Sequence, residues 1–138
     1  MIIHVSESKQ IVDKPSHIFT LVSEYFKTID KVDQDKEHFF ALHLDTRNKI
    51  KVFELVSIGI LNASLVHPRE VFTRAVMLRS AQIIIAHNHP SGEAKPSDED
   101  LELTRRLIDA GKVLGIEVID HVVCTKDKFF SLKEHGLI

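Results

Sequence analysis

The stretch 81-AQIIIAHNHPSGEAKPSDEDLELTRRLIDAGKVL-114 contains the change of period that decides how this chain folds. Residues 81–87 form an unbroken apolar run, the pattern of a central strand covered on both faces. A polar loop follows over 88–96. From Asp98 the spacing becomes helical: Leu103, Leu107, Ala110 and Leu114 form one stripe, while Asp98, Glu102, Arg105, Asp109 and Lys112 lie opposite. Strand, loop and helix therefore meet at a junction that carries His87 and His89.

Working outward, residues 116–125 read as a second buried strand after Gly111 and Gly115, and 128–132 as a further one beyond a Lys-Asp turn. Upstream, a helix begins near Pro68, since proline suits a first turn and Val71, Ala75 and Leu78 recur at helical intervals. Residues 37–45 and 50–59 read as a β-hairpin around 45-DTRNK-49. Ile18, Phe19, Val22, Tyr25, Phe26 and Ile29 predict a helix with Ser16 as its N-cap. Residues 1–15 are ambiguous, with a short strand at Ile2–Val5. The order α-β-β-α-β-α-β-β predicts an α/β (α+β) fold, a mixed central sheet flanked by helices.

The chain has 138 residues, enough for one domain over 1–138 that buries roughly 68% of its unfolded surface. Neither a disulfide nor a metal is then required merely to fold. Hydrophobic residues make up 43% and charged ones 28%, and no apolar run reaches membrane-spanning length, so no membrane association is expected. The start MIIHVSESKQ lacks the features of a signal peptide, and Cys124 is the one cysteine; both predict a cytoplasmic protein. The formal charge of −2 is spread without a basic block, which argues against autonomous nucleic-acid binding. Assembly as a homo-oligomer is left open. Nine histidines is the unusual count.

In an extended chain residues i and i+2 share a side, so His87 and His89 can present both imidazoles to one point. A catalytic zinc site needs a third protein ligand and keeps a position for water. Asp100, on the first turn of the following helix and at the edge of its apolar stripe, is the obvious donor. Glu99 flanks the other edge, and Asp98 and Glu102 point outward. A simpler reading competes: Ser97 and Asp100 have the spacing of a capping box, and loop histidines are often only solvated. The convergence of two nitrogens and a carboxylate at one junction favours Zn2+.

These residues resemble a known pattern. His87-x-His89, seven residues, then Ser97-x-x-Asp100 is similar to the motif of the JAMM (JAB, MPN+) metalloproteases, which include deubiquitinating enzymes. The stretch HNHPSG with PS-x-x-D resembles more narrowly the bacterial RadC family, as do EHFFALHLDTRNK, GILNASLVHPREVF and GIEVIDHVV in the same order. The resemblance implies a JAB/MPN (cytidine deaminase-like) architecture and a zinc-dependent hydrolase of peptide or isopeptide bonds. It implies that His87, His89 and Asp100 bind the metal, that Glu37 is the general acid/base, and that Ser97 hydrogen-bonds the oxyanion. Glu70 is a rival acid, more simply read as a surface or packing charge. Family members without metal serve as scaffolds, and RadC has historically been attached to DNA repair. Longer RadC proteins carry an N-terminal helix-hairpin-helix region that these residues do not match, which weakens the DNA-related alternative.

The other candidates are weaker. Asp120 and His121 are strand neighbours, so at most one can face a site at the sheet end, and a buried pair with structural partners is the simpler account. His67 and Arg69 precede a helix and read as substrate contacts or surface groups. Cys124 reads as a small buried hydrophobe. His4, His17, His38, His43 and His135 receive no assignment.

Overall fold

The computed structural model describes residues 2–3, 11–59 and 66–138. Among the described residues, six strands form one mixed sheet in the order β1-β3-β2-β4-β5-β6. They are β1 (Ile2–Ile3), β2 (Glu37–Leu44), β3 (Ile50–Gly59), β4 (Gln82–Asn88), β5 (Glu117–Cys124) and β6 (Phe129–Ser131). The helices are α1 (Pro15–Phe26), α2 (Lys31–Gln34), α3 (Pro68–Met77) and α4 (Asp98–Leu114). Strands β4 and β5 are parallel, joined by α4 as the crossover that parallel pairing requires; the other pairs are antiparallel.

The sheet separates two apolar layers. On one face, Ile18, Leu21, Val22 and Tyr25 of α1 pack on Phe40, Leu42, Leu44, Ile84 and Ala86. On the other, Val71, Phe72 and Ala75 of α3 and Leu103 and Leu107 of α4 pack on Phe39, Ala41, Ile83 and Ile85. Successive residues of β2 and β4 thus serve opposite layers, which is why those strands lack polar alternation. The hairpin turn is held by Asp45, whose Oδ1 accepts from the backbone N–H of Arg47 and Lys49 at 2.8 and 2.9 Å.

Several boundaries differ from the sequence reading. Helix α1 starts at Pro15 behind Lys14, without a side-chain cap, so Ser16 is not the N-cap. Proline lacks an N–H to be capped and its fixed φ suits the first helical position. The short α2 has no counterpart in the expected order. Of the expected strand at Ile2–Val5, Ile2–Ile3 pairs with β3, while His4 and Val5 lie outside the described residues. In α4, Leu114 is 49% exposed and does not continue the buried stripe. Gly111 faces inward instead, and a Cβ there would strike the backbone carbonyl of Ile116 as the chain turns into β5. Among the described residues no helix is long and apolar enough to cross a membrane.

Candidate metal centre

Strand β4 brings His87, fully buried, to the end of the sheet, and the chain then turns so that His89 meets it. The two Nε2 atoms are 2.9 Å apart. Asp100 enters from α4, with Oδ1 3.2 Å from His87 Nε2 and Oδ2 3.0 Å from His89 Nε2. One ligand atom from each residue lies within 4.8 Å of the others, so His87, His89 and Asp100 could hold a metal ion. The donors suit such an ion. The Glu93 carbonyl can only accept, so His89 Nδ1 donates to it at 2.8 Å and leaves Nε2 facing the cluster.

The capping box and the cluster use the same carboxylate. Ser97 Oγ accepts from the Asp100 N–H at 3.1 Å, and Asp100 Oδ2 accepts from the Ser97 N–H at 2.8 Å while it faces His89. Capping therefore orients the acid toward the histidines. Asp100 is buried, whereas Asp98, Glu99 and Glu102 are exposed. Burial opposes the charge on Asp100, but the imidazoles of His87 and His89 beside it outweigh that effect and hold the carboxyl well below its usual range. The Asp100 hydrogen bond raises His89 against the opposing effect of burial, with smaller help from the Glu93 carbonyl and from the charges of Asp100 and Glu37.

Glu37 reaches this neighbourhood through strand pairing. Phe39 of β2 pairs with His87 of β4 in antiparallel register, so Glu37, two residues earlier, lies on the same face toward the His89 end. Ser97 is exposed at the N-terminus of α4, and Glu70 is exposed in the first turn of α3.

Three further residues enter that the histidine spacing did not identify. His121 Nε2 lies 2.7 Å from His87 Nδ1, and His121 Nδ1 lies 2.6 Å from Thr104 Oγ1. His121 thus touches a candidate ligand, while Asp120 on the opposite face binds Ser131 Oγ and the Lys133 and His121 N–H groups. The sequence argument that at most one of the pair could approach the site agrees with this; the structural-partner account fits Asp120 and is incomplete for His121. Burial lowers His121 far below its usual range, with the charge of His87 adding to it. Asn88 Oδ1 accepts from the His38 N–H at 2.6 Å and its Nδ2 donates to the Lys36 carbonyl at 2.9 Å. Thr104 carried a usable signal, since a residue four positions after Asp100 shares its helix face. Cys124 is buried, and burial pushes its thiol up to about 12.

Residues 12–137 match the family model described as "RadC-like JAB domain". A UPF0758 protein of Methanosarcina mazei is 45% identical over 134 residues, covering 97% of this chain and 56% of that protein. One from Desulforamulus reducens is 47% identical over 133 residues, with 96% and 56% covered. One from Desulforudis audaxviator is 52% identical over 103 residues, with 75% and 45% covered. The chain spans about half the length of these curated relatives.

Proposed function

Because the chain belongs to the RadC-like JAB domain family, we propose that it is a zinc-dependent hydrolase of peptide or isopeptide bonds in proteins. The observation that carries this reading is the convergence of His87, His89 and Asp100, with Glu37 placed on the same sheet face by the pairing of Phe39 with His87. His87, His89 and Asp100 would hold the ion. When bound, zinc brings the pKa of its water toward ~7 and polarises the scissile carbonyl.

The remaining chemistry belongs to side chains. Glu37 takes the proton of the attacking water and delivers it to the leaving amine. Ser97 accepts the Asp100 N–H through an oxygen lone pair, so its own hydroxyl proton is free to donate to the oxyanion. The dispersed charge and the lone, buried Cys124 suit a protein substrate and a reducing compartment, so the cytoplasm is the proposed location.

The test incubates zinc-loaded protein and Glu37→Gln with an unfolded protein, ubiquitin-like conjugates, and single- and double-stranded DNA. Zinc-dependent cleavage of a protein substrate that disappears in Glu37→Gln supports the reading. DNA cleavage abolished by the same substitution would replace it with a nuclease.

A further inference from the structure

Behind His87 lies a closed line of hydrogen bonds whose proton positions can be worked out one by one. Thr104 Oγ1 is 2.7 Å from the backbone carbonyl of Asp100, one turn earlier on α4. A carbonyl can only accept, so the single hydroxyl proton of Thr104 is directed there. The contact of 2.6 Å between Thr104 Oγ1 and His121 Nδ1 must then be filled by a proton on His121. His121 is fully buried and its two ring nitrogens meet Thr104 Oγ1 and His87 Nδ1 rather than a carboxylate, so the ring carries its one proton on Nδ1 and a lone pair on Nε2. That lone pair, 2.7 Å from His87 Nδ1, accepts a proton carried by His87.

We propose that Thr104 and His121 are positioning residues that place the proton of His87 on Nδ1 and leave its Nε2 lone pair facing the metal. The opposite polarity shows why the direction matters. If Thr104 donated to His121, the His121 proton would sit on Nε2, His87 Nδ1 would have to accept it, and the His87 proton would move to Nε2. That proton would then occupy the space between His89 and Asp100. The Asp100 carbonyl selects the productive direction, so the line that begins at one candidate ligand ends on the backbone of another.

The fold supplies this line from three elements. In the parallel pair β4–β5, Ile85 is opposite His121, so His121 stands on the same face as His87 and one diagonal step away. Asp100 and Thr104 share a face of α4 because they are four residues apart. Hydrogen-bond partners of metal-binding histidines commonly change metal affinity by about 10–100-fold when lost.

This inference rests on the metal reading above, and the test separates the two. Zinc affinity is measured by competition with a chromogenic chelator for the wild type, Thr104→Val, Thr104→Ser and His121→Gln, and nitrogen-15 spectra of the zinc-loaded wild type report which nitrogen of His121 carries its proton. Thr104→Val, nearly isosteric but unable to accept or donate, should weaken zinc binding about 10–100-fold. Thr104→Ser, which keeps the hydroxyl, and His121→Gln, whose amide oxygen can accept from His87, should restore most of it. The His121 proton should be on Nδ1. Unchanged affinity in Thr104→Val, or a His121 proton on Nε2, overturns the positioning role while leaving the metal site intact. A wild type that takes up no zinc overturns both. Should Thr104→Val fail to fold, the wild-type spectrum and Thr104→Ser still decide the matter.

Discussion

Asn88 and Glu37 lie on neighbouring strands, and the Asn88 side chain grips the backbone on both sides of Glu37, at Lys36 and at His38. The residue between the two candidate histidine ligands therefore sets the position of the candidate acid. Asn88→Ala removes both bonds and should cost about 1–3 kcal/mol of stability. Zinc content should persist, while hydrolysis should fall because Glu37 is no longer held in register. Full activity with reduced stability would show that Asn88 matters to the fold alone.

Asp100 and Asp98 share the first turn of α4 but differ in burial. Asp100→Ala should abolish most zinc uptake, and Asp98→Ala should leave it near the wild-type level. Metal content of protein purified without chelator, read beside His87→Ala and His89→Ala, checks this. Equal losses in the two aspartate variants would mean that the wrong carboxylate has been assigned.

Ser97 caps α4 and is also proposed to donate to the oxyanion. The two roles come apart in Ser97→Gly, because glycine at an N-cap costs only a few tenths of a kcal/mol relative to serine. Thermal unfolding should therefore change little. The hydrolytic rate should drop roughly 10²–10³-fold, as for other lost oxyanion donors. A rate that follows stability would return Ser97 to capping alone.

Away from the cluster, Glu54 bridges His43 Nε2 at 2.9 Å and Arg74 Nε at 3.3 Å. Burial opposes its charge, but the hydrogen bond and charge of His43, then those of Arg74, outweigh it and lower the Glu54 carboxyl. A lowered folded-state value means that the contribution is complete above the unfolded value of about 4.3 and is lost as pH falls through the folded value. Glu54→Gln should cost about 1–3 kcal/mol at neutral pH. The gap from wild type, measured by urea unfolding, should shrink as the pH is lowered below 4.3 or so. A gap independent of pH would show that shape, rather than charge, is what Glu54 supplies.

Gly111 and Gly115 are both near the end of α4 but are needed for different reasons. Gly115 has φ of 73° and closes the helix in the left-handed region, so Gly115→Ala should cost about 1 kcal/mol. At Gly111 an added Cβ meets the Ile116 backbone, which cannot move aside without disturbing the entry to β5. Gly111→Ala should therefore be the more damaging, by about 1–3 kcal/mol or more. Calorimetric unfolding of the two variants gives the order directly.

Much of this architecture was legible in local spacing. The apolar run of β4, the polar loop and the stripe of α4 each follow from periodicity, so their existence and order could be read from the chain. His87, His89 and Asp100 could be grouped because only a strand end, a loop and one helical turn separate them. Glu37 came from family resemblance, since no local spacing connects it to residues some fifty positions later. The misplaced cap at Ser16 and the outward turn of Leu114 were boundary effects, where proline and the close approach of Ile116 overrode the expected pattern.

What the sequence by itself determined is therefore the main elements, α2 excepted, and the candidate donor residues that lie close together along the chain. Tertiary structure alone decided that β2 runs antiparallel beside β4, which brings Glu37 and Asn88 together, and that β5 runs parallel on its other side with His121 one step from His87. Periodicity reports which face of an element is buried. It carries no information about which strand lies beside it or in what register, because those are set by long-range burial and hydrogen bonding across the whole sheet.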